Sequence, residues 1–298
     1  MAVDEARILF IINPRSGGAG SVGAVLKKVT SKYPSARLVL SEYKGHISKL
    51  VNDNLDRTDV FIAVGGDGTI NEMAASLVGS DKLMAALPLG SGNGFALEFG
   101  FTRSIESIMR GIKKNDFLEV DVLKLNDKYC VNVAGNGIDS VVADAFAGGN
   151  QRGIKGYVKY FLKSEDKFKS FEVEVRNAEG EVLYKDKNLM LAVANGSQYG
   201  NHAFVAPNAN PTDQMFSLVL LKDIPIIQLP FYVTMMFTKG LRTDRNIRYI
   251  NLSEPVTINS SQKIWQIDGE VEIFEGKVEV SMLPKALKVV RTSKCKYK

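Results

Sequence analysis

The chain has 298 residues, 45% of them hydrophobic, with a formal net charge of +5 and a pI near 9.0. That length suffices for one large or two medium domains with real cores, and excludes a disordered or fibrous class. The basic excess is mild and interspersed, so on charge alone it fits an anionic small molecule, an anionic membrane surface or nucleic acid. Two cysteines and two histidines, each pair far apart in sequence, predict a reducing compartment, no disulfide and no zinc site. The start, MAVDEARILF, lacks a basic region before its short apolar run and does not read as a signal peptide.

In chain order, Arg7 to Ile12 reads as a buried strand. Asn13-Pro14-Arg15-Ser16-Gly17-Gly18-Ala19-Gly20 follows, and then a helical pattern from Val22 to Ser31. Arg15 and Ser16 offer a cation and a hydroxyl where such a loop could hold phosphate. The spacing is neither GxxxxGK[ST] nor GxGxxG. Arg37 to Ser41 is the next strand, Lys44 to Leu55 a helix, and Asp59 to Val64 a third, continuously apolar strand. It runs into Gly65-Gly66-Asp67-Gly68-Thr69-Ile70-Asn71-Glu72, with Ile70, Met73, Ala74 and Leu77 at helical spacing beyond. The glycines are therefore expected in a strand-to-helix turn. They allow a ligand close to the backbone, and helix-head N–H groups make an anion site. A plain tight turn would look the same. Asp67 in that turn would repel phosphate. It makes sense if a divalent cation bridges the two, or if it orients a donor or takes a proton.

Leu83 to Leu87 is a further strand, ending in Pro88-Leu89-Gly90-Ser91-Gly92-Asn93-Gly94-Phe95. Alternating strands and helices predict βαβ units and a parallel sheet, whose ligands gather at the strands' carboxyl ends. Three glycine-rich loops and Ser41 fall at such ends. After Ile105 to Ile112, a helix, the texture changes near 115–125. Phe117 to Leu125, Tyr129 to Ala134, Phe171 to Val175, Val182 to Tyr184, Leu189 to Ala194, Phe216 to Leu221, Val256 to Ile258, Ile264 to Ile267 and Val278 to Met282 read as strands of a mostly antiparallel domain. Helices are expected at Tyr157 to Phe168 and Ile226 to Phe237. The second is too short to span a bilayer, and reads as a core helix or a lipid-facing lip. Pro207 to Met215, with Asp213 and many carbonyls, could hold a hard cation or be an Asx-type turn. Trp265-Gln-Ile-Asp268-Gly269-Glu270 is a hairpin-turn signal carrying carboxylates. The Lys-rich end, Arg291 to Lys298, is expected to be frayed and solvated.

Four ordered motifs, NPRSGG, GGDGTINE, PLGSGNGFA and IDGE, resemble the diacylglycerol kinase catalytic-domain family, which includes sphingosine and ceramide kinases. The likeness covers nearly the whole chain. It implies an α/β nucleotide domain, related to NAD kinases and phosphofructokinases (1–120), and a C-terminal β-sandwich (121–298) whose last residues can return to the first domain. It further implies an ATP- and Mg²⁺-dependent lipid kinase. Asn13, Arg15, Ser16, Gly17, Ser41, Gly65, Gly66, Asp67, Gly68, Thr69, Ile70, Asn71, Glu72, Ser91 and Asn93 match its nucleotide region, and Asp121 an acidic position near the phosphates. Glu270 matches the proton acceptor, a role some members give to Asp67. Asn210, Asp213 and the Met215 carbonyl match a structural magnesium site, with Gln214 where glycine is usual. Gly94 stands where bacterial members carry Asp, nearer the sphingosine and ceramide kinase pattern. The implied partners are a lipid substrate and a membrane surface bound peripherally from the cytoplasm, not nucleic acid; a homodimer is left open. A soluble-metabolite kinase and a non-catalytic nucleotide- or lipid-binding regulator are the alternatives.

Overall fold

The computed structural model describes residues 4–17, 19–137 and 169–298. The chain forms two compact units, residues 1–121 with 284–298, and residues 122–283. The first is α/β. Strands β1 (Ile8–Ile12), β2 (Arg37–Leu40), β3 (Val60–Gly65) and β4 (Leu83–Pro88) pair in parallel in the order β4-β3-β1-β2. The end of β15 (Val278–Val290) adds to β4, again in parallel, at Lys288 and Val289. β1, β3 and β4 are buried at every position. Parallel strands covered on both faces need continuous apolar runs, and these have them. Helices α1 (Ala19–Lys32), α2 (His46–Asn52), α3 (Asp67–Leu77), α4 (Gly94–Glu98) and α5 (Ile105–Lys113) complete the unit.

The second unit is an antiparallel β-sandwich, with one prominent helix among the described residues. It holds β5 (Phe117–Leu125, entering from the first unit), β6 (Lys128–Cys130), β7 (Val133–Gly137), β8 (Phe171–Arg176), β9 (Val182–Ala194), β10 (Phe216–Lys222), α6 (Leu229–Thr238), β11 (Ile247–Leu252), β12 (Val256–Ser260), β13 (Ile264–Ile267) and β14 (Glu270–Ile273). β9 pairs with β7, β8 and β10. Its alternate residues feed two cores. Leu191 and Val193 join Trp265 and Phe216, while Met190, Ala192 and Ala194 join Leu229, Tyr232, Val233 and Met236 of α6.

Several sequence expectations change. The α3 helix begins at Asp67, not near Ile70, so Asp67, Gly68 and Thr69 form its first turn. Tyr129 to Ala134 splits into β6 and β7, because the N–H groups of Val131, Asn132 and Val133 turn to the Asp268 carboxylate. The two strands expected at 182–184 and 189–194 are one, the polar stretch between them laddered on β8 with Lys185 ion-paired to Glu174 at 2.7 Å. The C-terminal tail is docked, not frayed. Glu98 is fully enclosed, and a buried carboxylate needs partners. Lys296 Nζ supplies one at 3.1 Å and the Tyr297 hydroxyl another. Arg291 Nε also meets Asp116 at 2.6 Å. The helix expected at 157–168 lies outside the described residues.

Candidate functional site

In the first unit the carboxyl ends of β1, β2, β3 and β4 lie together. The Asn13, Ser41 and Leu89 N–H groups continue the sheet ladder past those ends, donating to the Val64, Ile12 and Gly65 carbonyls respectively, at 2.7–2.9 Å. This gathers the three glycine loops and Ser41. Asn13 is a hub: its Nδ2 donates to Thr69 Oγ1 at 3.2 Å and its Oδ1 accepts from Arg15 N at 3.0 Å. The turns after β3 and β4 touch backbone to backbone. A Cβ on Gly90 would lie 2.7 Å from the Gly66 Cα, and one on Gly65 would overlap the Thr69 side chain. Gly17, at φ 67°, packs equally tightly on Leu89. Glycine is required at these approaches for steric reasons alone.

Asp67 joins the two turns chemically. Its Oδ2 accepts from Asn93 N and its Oδ1 from Gly94 N, both at 2.7 Å. Two short N–H bonds to one carboxylate are charge-assisted and strong. They hold Asn93 in the left-handed region, at φ 55°, at the head of α4. The Asn93 side chain does not cap that helix; Nδ2 turns back to the Gly90 carbonyl at 2.9 Å. Gly92 has no room for a side chain, because a Cβ there would sit 2.7 Å from Asp67 Oδ2.

The other expected nucleotide residues divide. Arg15, Gly17, Gly68 and Ser91 are exposed around the turns, and Ser16, Gly66 and Asn71 are partly so. Ile70 is a packing residue: its side chain is buried and its N–H closes the first turn onto Gly66 O. Glu72 is occupied at the head of α2, accepting from Ser48 N at 3.0 Å and Gly45 N at 3.4 Å. Asp121 is fully buried and accepts from Lys285 N at 2.8 Å, which anchors β15. Sequence reasoning passed over Arg103, whose Nε donates to the carbonyl of Pro88, the last residue of β4, at 3.2 Å. An isolated arginine seven residues past the PLGSGNGFA motif carries no pattern that would reveal this.

In the second unit, the β13–β14 hairpin turns on Asp268 and Gly269, both at positive φ. The sequence showed Asp268 as a carboxylate in a hairpin turn and gave it no role. Its carboxylate accepts from Val131 N at 2.7 Å, Asn132 N at 2.8 Å and Val133 N at 3.1 Å. Burial pushes its pKa up to about 6, against the downward pull of those N–H groups. Burial, and then the neighbouring Asp268, also drive the Cys130 thiol well above its ordinary value. Buried amides brace the turn: Gln266 Oε1 accepts from Gly269 N at 2.8 Å, Gln266 Nε2 reaches Val133 O, and Asn132 Nδ2 reaches Gln198 O at 2.6 Å. Glu270 opens β14 beside this turn, with its residue exposed.

The 207–215 loop closes largely on itself. Asn210 Oδ1 accepts from Thr212 N and Oγ1, at 3.2 and 2.9 Å, and Asp213 Oδ1 accepts from Met215 N at 3.0 Å. Gln214 takes φ 63° without being glycine. The loop borders a cavity of about 580 Å³ with Ser217, Arg242 and Asn251. Asn210, Asp213 and the Met215 carbonyl are hard oxygen donors, but one carboxylate already bonded within an Asx turn is a thin set for Mg²⁺. Among the described residues no group of three or more His, Cys, Asp or Glu could hold a metal.

Residues 7–125 match the family model of the diacylglycerol kinase catalytic domain, and residues 132–291 that of the YegS C-terminal NAD kinase beta sandwich-like domain. The chain is 27% identical over 224 residues to a protein of Bacillus subtilis named diacylglycerol kinase, covering 71% of each. Its fold is similar to a crystal structure of a diacylglycerol kinase from Bacillus anthracis, with TM-score 0.73, 19% identity and 97% of each chain covered. An NAD kinase from Archaeoglobus fulgidus, solved with ATP, shares the fold at TM-score 0.56 and 13% identity, over 96% of this chain and 94% of that one. The chain belongs to the enzyme family that joins a diacylglycerol kinase catalytic domain to a YegS C-terminal NAD kinase beta sandwich-like domain.

Proposed function

We propose that the protein transfers the γ-phosphoryl group of MgATP to the hydroxyl of a lipid. The observation that carries this reading is the pair of glycine turns bound together by Asp67 at the carboxyl ends of a parallel sheet. Exposed backbone beside helix heads suits phosphate oxygens, and Arg15 adds a cation. Magnesium accompanies the nucleotide as part of the substrate and neutralises phosphate charge. The lipid oxygen forms its bond to phosphorus as the bond to ADP breaks, and its proton goes to a carboxylate. Glu270 suits that role better than Asp67, because Asp67 already spends both oxygens on Asn93 and Gly94. Phosphoryl transfer depends mainly on positioning and charge, so the base contributes the smaller share.

The test is labelled ATP with Mg²⁺ and diacylglycerol, sphingosine, ceramide or phosphatidylglycerol in mixed micelles, with NAD alongside. Label in one lipid is expected; label in NAD alone would replace this reading with a soluble-metabolite kinase. Intact ATP binding by calorimetry with no acceptor labelled would favour a regulator. Glu270→Gln is expected to lower kcat about 10²- to 10⁴-fold, the usual share of a general base, with nucleotide affinity retained. A wild-type rate in that variant would remove Glu270 from the role.

A further inference from the structure

From Ile224 to Thr238 the chain carries no charged residue. Leu229, Tyr232, Val233 and Met236 on one side of α6 are buried against β10 and β11 residues. The opposite side carries Phe231 with Thr234 and Thr238, and no charge. Ile227, in the 3₁₀ turn leading into α6, is 79% exposed, and Phe231 is 61% exposed. Both belong to the short group of exposed large hydrophobic side chains among the described residues. An uncharged helix that holds large apolar side chains out to solvent is ordinarily covered there by protein or lipid. With ten residues, α6 is too short to cross a bilayer.

The segment that follows supplies charge. Lys239, Arg242 and Arg245 are exposed. The one carboxylate among them, Asp244, is exposed too but is held by its own loop, accepting from Asn246 N and Ile247 N at 2.7 Å and from the Tyr232 hydroxyl at 3.1 Å. An apolar ridge beside three exposed cations and a single carboxylate is complementary to an anionic bilayer, where apolar groups enter the acyl boundary and cations meet headgroups. A second copy of the chain fits less well, since a two-fold contact would set these cations against themselves.

We infer that Ile227 and Phe231, with the cations Lys239, Arg242 and Arg245, form a docking face by which the second unit binds anionic membranes. The face gives a purpose to the lipid-kinase reading and rests on it for that alone. Phe231→Trp provides the test, because the single native tryptophan, Trp265, is buried and serves as a constant background. Its emission should shift to the blue on vesicles containing phosphatidylglycerol and stay unchanged on phosphatidylcholine alone. Ile227→Ser/Phe231→Ser should lose about tenfold or more in vesicle affinity, with melting unchanged because both side chains are outside the core. Arg242→Gln and Arg245→Gln should each lose about fivefold, and less at high salt. Wild-type vesicle binding by the double serine variant would overturn the inference. So would equal binding to neutral vesicles, no binding to either, or a dimer that the double variant converts to monomer. Vesicle binding retained in a protein that labels no lipid upholds the face and removes the kinase reading. Lipid labelling by a protein that binds no vesicle does the reverse.

Discussion

Asp67 shows how a residue can be legible in kind and not in role. Sequence placed a carboxylate among glycines and left three uses open; the structure uses it to hold the neighbouring loop. Asp67→Asn would set an amide NH₂ against one of two N–H donors, a loss of about 1–3 kcal/mol. It is expected to lower the melting temperature and weaken nucleotide binding together, by calorimetry. Lost turnover with melting and nucleotide binding unchanged would make Asp67 a base rather than a tether. Asp268 makes a pH prediction. Its folded pKa, about 6, lies above its ordinary 3.8. The folded protein therefore holds this proton more tightly, so the group's stabilising contribution is complete below pH 3.8, is lost as pH rises towards 6, and then stays constant. The backbone amide resonances of Val131, Asn132 and Val133 should titrate together near pH 6. Independent or absent titration would detach them from Asp268.

At the scale of elements, the buried parallel strands were legible because each must be apolar throughout. β1, β3 and β4 differ from the expected ranges by a residue or two. β11 and β14 were not read, because Arg248, Asn251, Glu270 and Glu272 interrupt their apolar pattern. Their positions come from backbone ladders on β10 and β13, which composition does not encode. The tail was misread for a related reason. A run of lysines looks solvated until a buried carboxylate elsewhere is known to need it. Lys296→Met with Tyr297→Phe leaves Glu98 without either partner and should cost about 2–4 kcal/mol, read as lowered melting in a calorimeter. Unchanged melting would mean the tail is only apposed.

At the scale of the whole molecule, the first unit is discontinuous: it needs residues 284–298, which arrive after the second unit is complete. Ending the chain at residue 283 removes the β15 segment beside β4 and the partner of Asp121, Lys285 N. Such a truncation should lose cooperative unfolding of the first unit and its nucleotide binding, by circular dichroism and calorimetry. Native-like binding would show that 1–121 is sufficient.

The sequence by itself determined the α/β order of the first half, the β-rich second half, the three glycine loops and the family, because apolar periodicity and turn glycines are local properties. Only tertiary structure decided that Asp67 grips Asn93 and Gly94, that Asp121 and Glu98 serve as anchors, and that three successive amides meet in Asp268. Each of these partnerships joins residues between 26 and 199 positions apart. A hydrogen bond over such separations exists only after the fold has brought its donor and acceptor together, so no local pattern could announce it.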